Sequence, residues 1–503
     1  MTIPITDSPR NLTQKTLKGI LWSYGSFIGG KSLTFVSTII LARLLVPEQF
    51  GLVGYCLVAI QYLEILNSAG IDSALIARRE NLEEAANAAF VANILLGIFS
   101  FGLTWFLAPT VATFFKEDAI VPLLRILGLS LPISGIGMVP DALLQRQLRF
   151  RIRLMPAVGR SLMKGLISIL FAVLGMGVWS LVWGQIVGIF TSTLLAWLLA
   201  GWKPTWRFNS SATRAVSVYG IHIVMLEIVG ALRENVDYLL VGRILGATAL
   251  GFYTMAFRIP ELLIRSVNNA IGRVSLPVLA ITQSEPAKLR SFYFNYLRYL
   301  SIFIFPIGMG LTITAPLFIP IFLSAQWSAA IVPTMFISIA LVISALGYVP
   351  GLLYKATNRP DVLNRLAFIK MPIAVFILWY STRWGINGVA AGQIAMSTIS
   401  LSVDSLIANY IMQYPIKELL RSIAPALSAT FIMAFTLIVV HHVLPFGGIF
   451  ELVVMVLFGI LVYVSSLWLI NRETLLRGVD MFSKTFLKTR NLKTSPLKAV
   501  SND

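Results

Sequence analysis

The sequence has few charged residues, few histidines and a single cysteine. Of its 503 residues, 12% are charged, which is about half the charged share of an ordinary soluble domain. Cys56 alone cannot form an intrachain disulfide, and three histidines with this one cysteine make no plausible zinc site. The sequence therefore excludes a small protein stabilised by disulfides or zinc. No nucleotide-binding loop and no cofactor are expected.

Long apolar runs recur along almost the whole chain. Hydrophobic residues make up 57% of it, and the mean hydropathy is +0.81. Many runs approach the ~20 residues that cross a bilayer, so we predict an all-α polytopic membrane protein with about 14 transmembrane helices. Pro306, Pro316 and Pro320 in the ninth span predict a kinked or broken helix. The predicted spans are 18–45, 50–70, 85–113, 120–144, 154–175, 178–201, 215–242, 249–276, 289–322, 328–354, 362–381, 385–411, 418–440 and 449–470.

The positive charge lies mostly on one set of alternating loops. Lys and Arg number 40 against 22 Asp and Glu, a net charge of +18. In a soluble protein this charge would suggest a nucleic-acid partner. Here it follows the positive-inside rule, which places both termini in the cytoplasm and attributes much of the charge to topology and contact with anionic membrane lipids. No nucleic-acid partner is expected, and the polar N-terminus is expected to remain uncleaved.

The sequence matches itself at offsets of 200 to 210 residues. "ISGIGMVP" (133–140) and "ISALGYVP" (343–350) share five of eight positions, and two further pairs, 42–51 with 242–251 and 177–186 with 385–394, keep the same order. Helices 1–6 and 7–12 are thus predicted to be two copies of one six-helix unit. Because each copy has an even number of spans, the repeat is parallel, with its axis along the membrane normal. An accidental match between apolar sequences is the alternative.

Three segments carry a family resemblance that covers roughly residues 15–440. They are "GILWSYGSFIGGKSLTFVSTIILARLLVPEQFGLVGY" (19–55), "LLQRQLRFR" (143–151) and "NVDYLLVGRILGATALGFYTMAFRIPELLIRSVNNAIGRVSLPVLA" (235–280). With two six-helix lobes, two extra helices and both termini inside, the chain resembles the polysaccharide (Wzx-type) flippases of the multidrug/oligosaccharidyl-lipid/polysaccharide exporter superfamily.

This resemblance implies a function and a division of the chain. The function is the transfer of an undecaprenyl-diphosphate-linked oligosaccharide across the bacterial cytoplasmic (inner) membrane by alternating access, for capsule, exopolysaccharide or O-antigen synthesis. A polysaccharide polymerase and other export machinery are candidate partners. The predicted parts are a cytoplasmic N-terminal segment (1–17), an N-lobe (18–208), a C-lobe (209–412), helices 13 and 14 (413–471) and a basic cytoplasmic tail (472–503).

Several charged residues lie deep inside predicted helices. A charge there costs at least ~2.5–3.5 kcal/mol and marks a candidate functional site. The surplus is cationic, and a water-filled cavity lined by Arg and Lys suits a diphosphate group. The candidate substrate-binding residues are Lys31, Arg233, Arg258, Arg265 and Lys370. The candidate ion-coupling or charge-pairing residues are Glu64, Glu227 and Glu261.

Some of these charges have simpler explanations. Arg43 and Arg243 lie close to span ends and are expected to be interfacial anchors. Arg233 and Asp237 are four residues apart and could form an intrahelical pair. On helix 8, by contrast, Glu261 alone cannot neutralise two arginines on one face, so a ligand role is favoured for Arg258 and Arg265.

Two other functions remain open from the sequence. A drug/cation antiporter of the same superfamily would use acidic residues, and Glu64 and Glu227 keep this alternative open, although Glu64 is also a candidate partner for Lys31. A membrane polysaccharide polymerase or ligase would need a large outer loop with catalytic residues. The predicted outer loops are short, so no enzymatic activity is expected.

Overall fold

All regular elements in the described part of the chain are helices. The structure, a computed structural model, describes residues 30, 33–68, 75, 82–146, 150–205, 210–268, 271–272, 285–357, 359–414, 416–443 and 447–486. No strand occurs among these residues. The predicted all-α class is confirmed.

The described helices follow the order of the predicted spans. We label them α1 (Leu33–Leu44), α2 (Pro47–Ser68), α3 (Leu82–Phe115), α4 (Ile120–Arg146), α5 (Phe150–Val173), α6 (Val178–Ala200), α7 (Ser210–Leu245), α8 (Ala247–Pro260), α9 (Pro286–Phe322), α10 (Ile331–Ala356), α11 (Pro360–Ser381), α12 (Gly385–Met412), α13 (Ile416–Val443) and α14 (Gly448–Phe486). A turn at Gly128 divides α4, and α8 continues into a π-helical turn, Glu261–Arg265.

Ten stretches of the described chain are long and apolar enough to cross a membrane. The chain is therefore a multi-pass membrane protein. α7 is not among the ten, since charged residues such as Arg233 and Asp237 interrupt the apolar sequence of the part whose side chains are described, residues 227–245. α1 and α8 are too short in their described parts to meet the length that a span requires. The predicted number of about 14 spans stays a prediction.

The ninth helix, predicted to be kinked or broken, is not broken, while a kink stays a prediction. α9 is assigned as one helix from Pro286 to Phe322, with Pro306, Pro316 and Pro320 inside it. Pro306 has no N–H to donate to the carbonyl of Ile302. The hydroxyl of Tyr463 on α14 donates to that carbonyl at 2.7 Å instead. A neighbouring helix thus satisfies the group that the proline leaves free.

The buried core is continuous at one end of the bundle and divided at the other. One cluster joins side chains from both predicted lobes, such as Leu41, Leu123, Leu250 and Trp327. The buried residues of a second cluster come from α9, α10, α12, α13 and α14, with Ile264 of the π-turn and Tyr414. A third cluster holds only residues of the first half of the chain. The two halves therefore pack together at one end and form separate cores toward the other.

We call the packed end the closed end and the opposite end the basic end. The closed end holds the connections 45–46, 116–119, 174–177, 246 and 323–330. At the basic end, α4 ends at Arg146, α6 ends at Ala200, α11 begins at Pro360, and α12 ends at Met412. The described basic residues beside these helix ends are Arg146, Lys203, Arg359 and Lys417. α13 and α14 pack on α9, outside the two predicted six-helix units.

α2 and α8 meet at the closed end through two glycines. A Cβ atom at Gly51 would overlap the carbonyl oxygen of Ala247, and a Cβ atom at Gly251 would overlap the carbonyl oxygen of Pro47. Gly51 corresponds to Gly251, and Pro47 corresponds to Ala247, each at an offset of 200 residues. This is the offset of the sequence match between 42–51 and 242–251. The same contact is thus made in both directions, as a two-fold axis between two copies requires. The parallel repeat itself stays a prediction.

Polar contacts between the halves follow the same reciprocal pattern. The guanidinium of Arg43 donates to the carbonyls of Ile321 (2.5 Å) and Phe322 (2.9 Å) at the C-terminal end of α9. Arg243, 200 residues later, lies over the ring of Phe114 at the end of α3, 5.6 Å from its centroid. Arg43 thus caps the open carbonyls of a helix in the other half, and its interfacial anchoring role stays a prediction.

Candidate functional site

Among the described residues, one hydrogen bond between the halves lies near the edge of the buried core that they share. The Asn235 side chain of α7 donates to the Gln61 side chain of α2 at 3.2 Å. Beyond this bond toward the basic end, no buried cluster of described residues joins the halves. We call the space between α2, α5, α7 and α8 on this side the cleft. Glu64 lies one turn beyond Gln61, and Arg233 lies two residues before Asn235, so charged residues begin where the halves part.

α8 and its π-turn place three charges beside the cleft. Arg265 pairs with Glu261 at 3.0 Å, yet the Arg265 side chain remains 56% exposed. Arg258 is also exposed, and no carboxylate of the described residues lies within salt-bridge distance of it. Arg258, Glu261 and Arg265 all lie within electrostatic range of the Tyr238 ring on α7. One guanidinium of this group therefore has no carboxylate partner, as the excess of arginine over glutamate predicts.

The alternative in which Arg233 pairs with Asp237 is wrong. Asp237 is buried and accepts hydrogen bonds from the Tyr253 hydroxyl at 2.9 Å and from the Gln393 side-chain amide at 2.7 Å. It also accepts one from the backbone N–H of Tyr238. These bonds hold α7, α8 and α12 together. Arg233 is exposed on α7 and forms no ion pair within the described part of the chain.

The first half of the chain contributes a charged residue, Arg160, that the sequence analysis did not assign. Glu64 on α2 lies within electrostatic range of Arg160 on α5. Arg160 lies about 15 Å into α5 at 1.5 Å per residue, so the depth rule applied to the other charges could have found it. Lys31, the other predicted partner of Glu64, lies outside the described residues. Glu227 is exposed on α7 and has an interaction of its own.

Lys370 lies apart from the cleft in an ion pair between α11 and α12. Its ammonium group is 2.5 Å from a carboxylate oxygen of Asp404 and donates to the Ser400 hydroxyl at 3.0 Å. The side chains of Lys370 and Asp404 are only 12% and 11% exposed. The depth of Lys370 was predicted correctly, but its partner was not, because Asp404 is 34 residues away in the sequence.

We expect this pair to be structural. Replacing Lys370 by methionine should destabilise the protein by about 3–5 kcal/mol, because it leaves a buried carboxylate without its partner. The second change Asp404→Leu should restore most of the loss. Thermal unfolding of the purified variants measures both effects. If Lys370 binds substrate instead, the double variant will be stable but unable to export.

One stretch of sequence contradicts the expectation of no nucleotide-binding pattern. Residues 25–32, "GSFIGGKS", fit the letters GxxxxGK[ST]. A working loop of this kind follows a strand and opens a helix. The described residues contain no strand, and Gly30 is itself helical, with Ser161 of α5 3.6 Å from where its Cβ would be. Residues 25–29, 31 and 32 lie outside the described residues. The strand that phosphate binding needs is therefore not found in the part of the chain that the structure describes.

Two similar proteins are membrane or polysaccharide-related proteins of enteric bacteria. The chain is 25% identical over 412 residues to an uncharacterized membrane protein in the cps region of Klebsiella pneumoniae, covering 81% of this chain and 84% of that protein. It is 25% identical over 414 residues to the lipopolysaccharide biosynthesis protein WzxC of Escherichia coli K12, covering 80% and 81%.

The fold and the family agree with these similarities. The structure resembles the lipid II flippase MurJ in its inward closed conformation with a TM-score of 0.72 at 16% identity, covering 92% of this chain and 99% of that one. The sequence profile of the polysaccharide biosynthesis protein family matches residues 40–332, more than half of the chain. The chain therefore belongs to the polysaccharide biosynthesis protein family.

Proposed function

We propose that this protein moves a lipid-linked oligosaccharide, carried on undecaprenyl diphosphate, from the inner to the outer leaflet of the bacterial cytoplasmic membrane. The observation that carries the proposal is the cleft. The two halves share a buried core at the closed end, and on the basic side of it the arginines of α8 and its π-turn outnumber their carboxylate partners among the described residues. The names of the similar proteins, a lipopolysaccharide biosynthesis protein and a lipid II flippase, support a lipid-linked saccharide as the substrate.

We further propose that the basic end faces the cytoplasm. Positive residues near the ends of spans are retained on the cytoplasmic side, and both termini would then be cytoplasmic. In this orientation the cleft opens to the leaflet in which the substrate is made, and the closed end seals it from the outside. Separation of α2 from α8 at the closed end, with closure at the basic end, would expose the same arginines to the outside.

Within the cleft, we assign phosphate binding to Arg258, with Arg233 and Arg265 beside it. A guanidinium can donate two parallel hydrogen bonds to phosphate oxygens, and it keeps its charge when partly dehydrated. Glu261 orients Arg265 through their ion pair. Lys31 remains a proposed fourth cation, whereas Lys370 is left out because Asp404 already binds it. Sugar contacts are not assigned.

The antiporter alternative is less well supported by the carboxylates. A cation site needs carboxylate oxygens that are free to coordinate an ion. Of the two carboxylates that keep this alternative open, Glu64 lies within electrostatic range of Arg160, and Glu227 has an interaction of its own. We also propose that the protein is not an enzyme, because the closed-end connections named above are too short for a catalytic loop domain; the longest is 323–330.

Deletion of the gene tests the proposed function. We expect the lipid-linked oligosaccharide to accumulate in the inner leaflet, where it stays accessible to cytoplasmic enzymes, while polymer on the cell surface disappears. Complementation with the wild-type chain should reverse both effects. Accumulation of a drug or loss of resistance, with normal polymer, would support the antiporter instead.

We predict that export depends on the membrane potential. The cell interior is negative, and moving one charge is worth ~2.3 kcal/mol per 100 mV. A diphosphate lipid with two negative charges would therefore move outward downhill by roughly 4–5 kcal/mol per 100 mV. Collapsing the potential in reconstituted vesicles, with the pH and sodium gradients held at zero, should slow flipping. An unchanged rate would reject the potential as the driving force.

A further inference from the structure

A second basic cavity lies outside the cleft, where α9, α13 and α14 meet. Its volume is about 560 Å³. The lining residues are Arg298 and Tyr299 of α9, Arg421, Ala424, Pro425 and Ser428 of α13, and Ile470, Asn471 and Glu473 of α14. None of these residues belongs to α1–α8, so the cavity is separate from the charges of the cleft.

The cavity lies at the depth of lipid head groups near the basic end. At 1.5 Å per residue, Arg298, Arg421 and Asn471 are each about 33–36 Å along their helices from the closed end. The hydrocarbon core of a bilayer is about 30 Å thick. α14 also leaves regular helical geometry at Asn471 (φ −157°, ψ 78°). Three helices thus place their polar lining residues just beyond the hydrocarbon, where phosphates of the basic-end leaflet lie.

The two arginines of the cavity are not neutralised by ion pairs. Nearby basic residues are paired: Arg290 of α9 lies 2.6 Å from Glu418 of α13, and Lys288 lies 2.7 Å from Glu285. In the described part of the chain no carboxylate lies within salt-bridge distance of Arg298 or Arg421. Counting Glu473, the three charged lining residues sum to one positive charge, which favours an anion.

An apolar stripe runs from the cavity toward the closed end. Arg421, Ala424, Ser428, Phe431 and Phe435 are spaced three and four residues apart, so they share one face of α13. Phe431 and Phe435 are 58% and 73% exposed. Such a face would lie against an acyl chain whose head group occupies the cavity. A free phosphate ion would gain nothing from this stripe.

We propose that the cavity binds the phosphate of an anionic glycerophospholipid from the basic-end leaflet, with Arg298 and Arg421 as its ligands. Both guanidinium groups can donate two hydrogen bonds to phosphate oxygens. Since the surrounding lipid is present at high concentration at all times, the site is occupied whether or not substrate is in the cleft. The lipid joins α13 and α14 to α9.

Native mass spectrometry of the purified protein tests this proposal without any transport assay, so its result is independent of the proposed function. After delipidation and titration with phosphatidylglycerol, the wild type should retain a bound lipid at least tenfold more strongly than the double variant R298A/R421A. The size-retaining variants Arg298→Gln and Arg421→Gln should each weaken retention. Arg359→Ala, which removes an exposed arginine elsewhere at the basic end, should bind as the wild type does.

Three outcomes would overturn the proposal. Equal retention by the wild type and the double variant would show that the arginines do not hold the lipid. Displacement of phosphatidylglycerol by millimolar inorganic phosphate would show a site for free anions. Stronger binding of a polyprenyl phosphate than of phosphatidylglycerol would make the cavity a substrate site. If the double variant unfolds, the two glutamine variants and the two competitors still decide.

Discussion

Replacing Arg258 by alanine is expected to lower export by about ten- to hundredfold. A hydrogen bond to a charged group contributes about 1.5–3 kcal/mol, and Arg258 is exposed beside the cleft with no carboxylate partner among the described residues. Its loss removes a proposed phosphate ligand without leaving a buried charge behind, so folding should be retained. Surface polymer in a complemented deletion strain measures export, and membrane insertion with monodisperse purification measures folding.

Arg258→Lys and Arg383→Ala are the controls for this prediction. Lysine keeps the charge but not the planar pair of donors, so Arg258→Lys should recover only part of the export. Arg383 stacks on Tyr380 at the closed end, 4.6 Å from the ring centroid, away from the cleft. Arg383→Ala should export normally. Wild-type export by Arg258→Ala would remove Arg258 from the site.

Replacing Gly51 or Gly251 by valine is expected to abolish export. Each glycine faces a carbonyl oxygen of the other half, and any Cβ would overlap it. Because that neighbour is backbone, it cannot rotate away, so the closed end must part. The protein should then favour the state in which the closed end is open. The two variants should behave alike, since the two contacts are reciprocal.

Cysteine labelling from the outside measures this change of state. Cys56 is fully buried, so the wild type gives low background labelling. A cysteine introduced at Arg258 should be labelled faster from outside in Gly51→Val and Gly251→Val than in the parent. Gly102→Val is the matched control, because no atom lies within 4 Å of its added Cβ. Unchanged labelling and normal export in both variants would show that the closed end is not a gate.

The positions of the helices could be predicted from the sequence, whereas their internal geometry could not. The position of a membrane helix follows from the length of an apolar run in the local sequence. Each described helix therefore overlaps a predicted span. In α9, the carbonyl that Pro306 leaves without a donor is bonded by Tyr463, which lies more than 150 residues farther along the sequence. A prediction made from the prolines of one helix cannot include a hydrogen-bond donor from another helix.

The charges of the site could be predicted by depth, but their partners could not. Depth alone selected Arg258, Arg265 and Lys370, and it would also have selected Arg160. Whether each charge is free depends on tertiary contacts. Lys370 is bound by Asp404 of another helix, while Arg258 has no carboxylate partner in the described part of the chain. Arg43 shows the same limit, because a position at a span end does not reveal that the C-terminus of α9 lies beside it.

The central claim, that this protein flips a lipid-linked oligosaccharide through the cleft, is tested most directly in proteoliposomes. Vesicles containing only the purified protein and a fluorescent undecaprenyl-diphosphate oligosaccharide are treated with a membrane-impermeant quencher. We expect the quenched fraction to rise with time in wild-type vesicles under an applied potential and to stay constant in vesicles with Arg258→Ala. If wild-type and protein-free vesicles show the same constant fraction under that potential, the claim is contradicted.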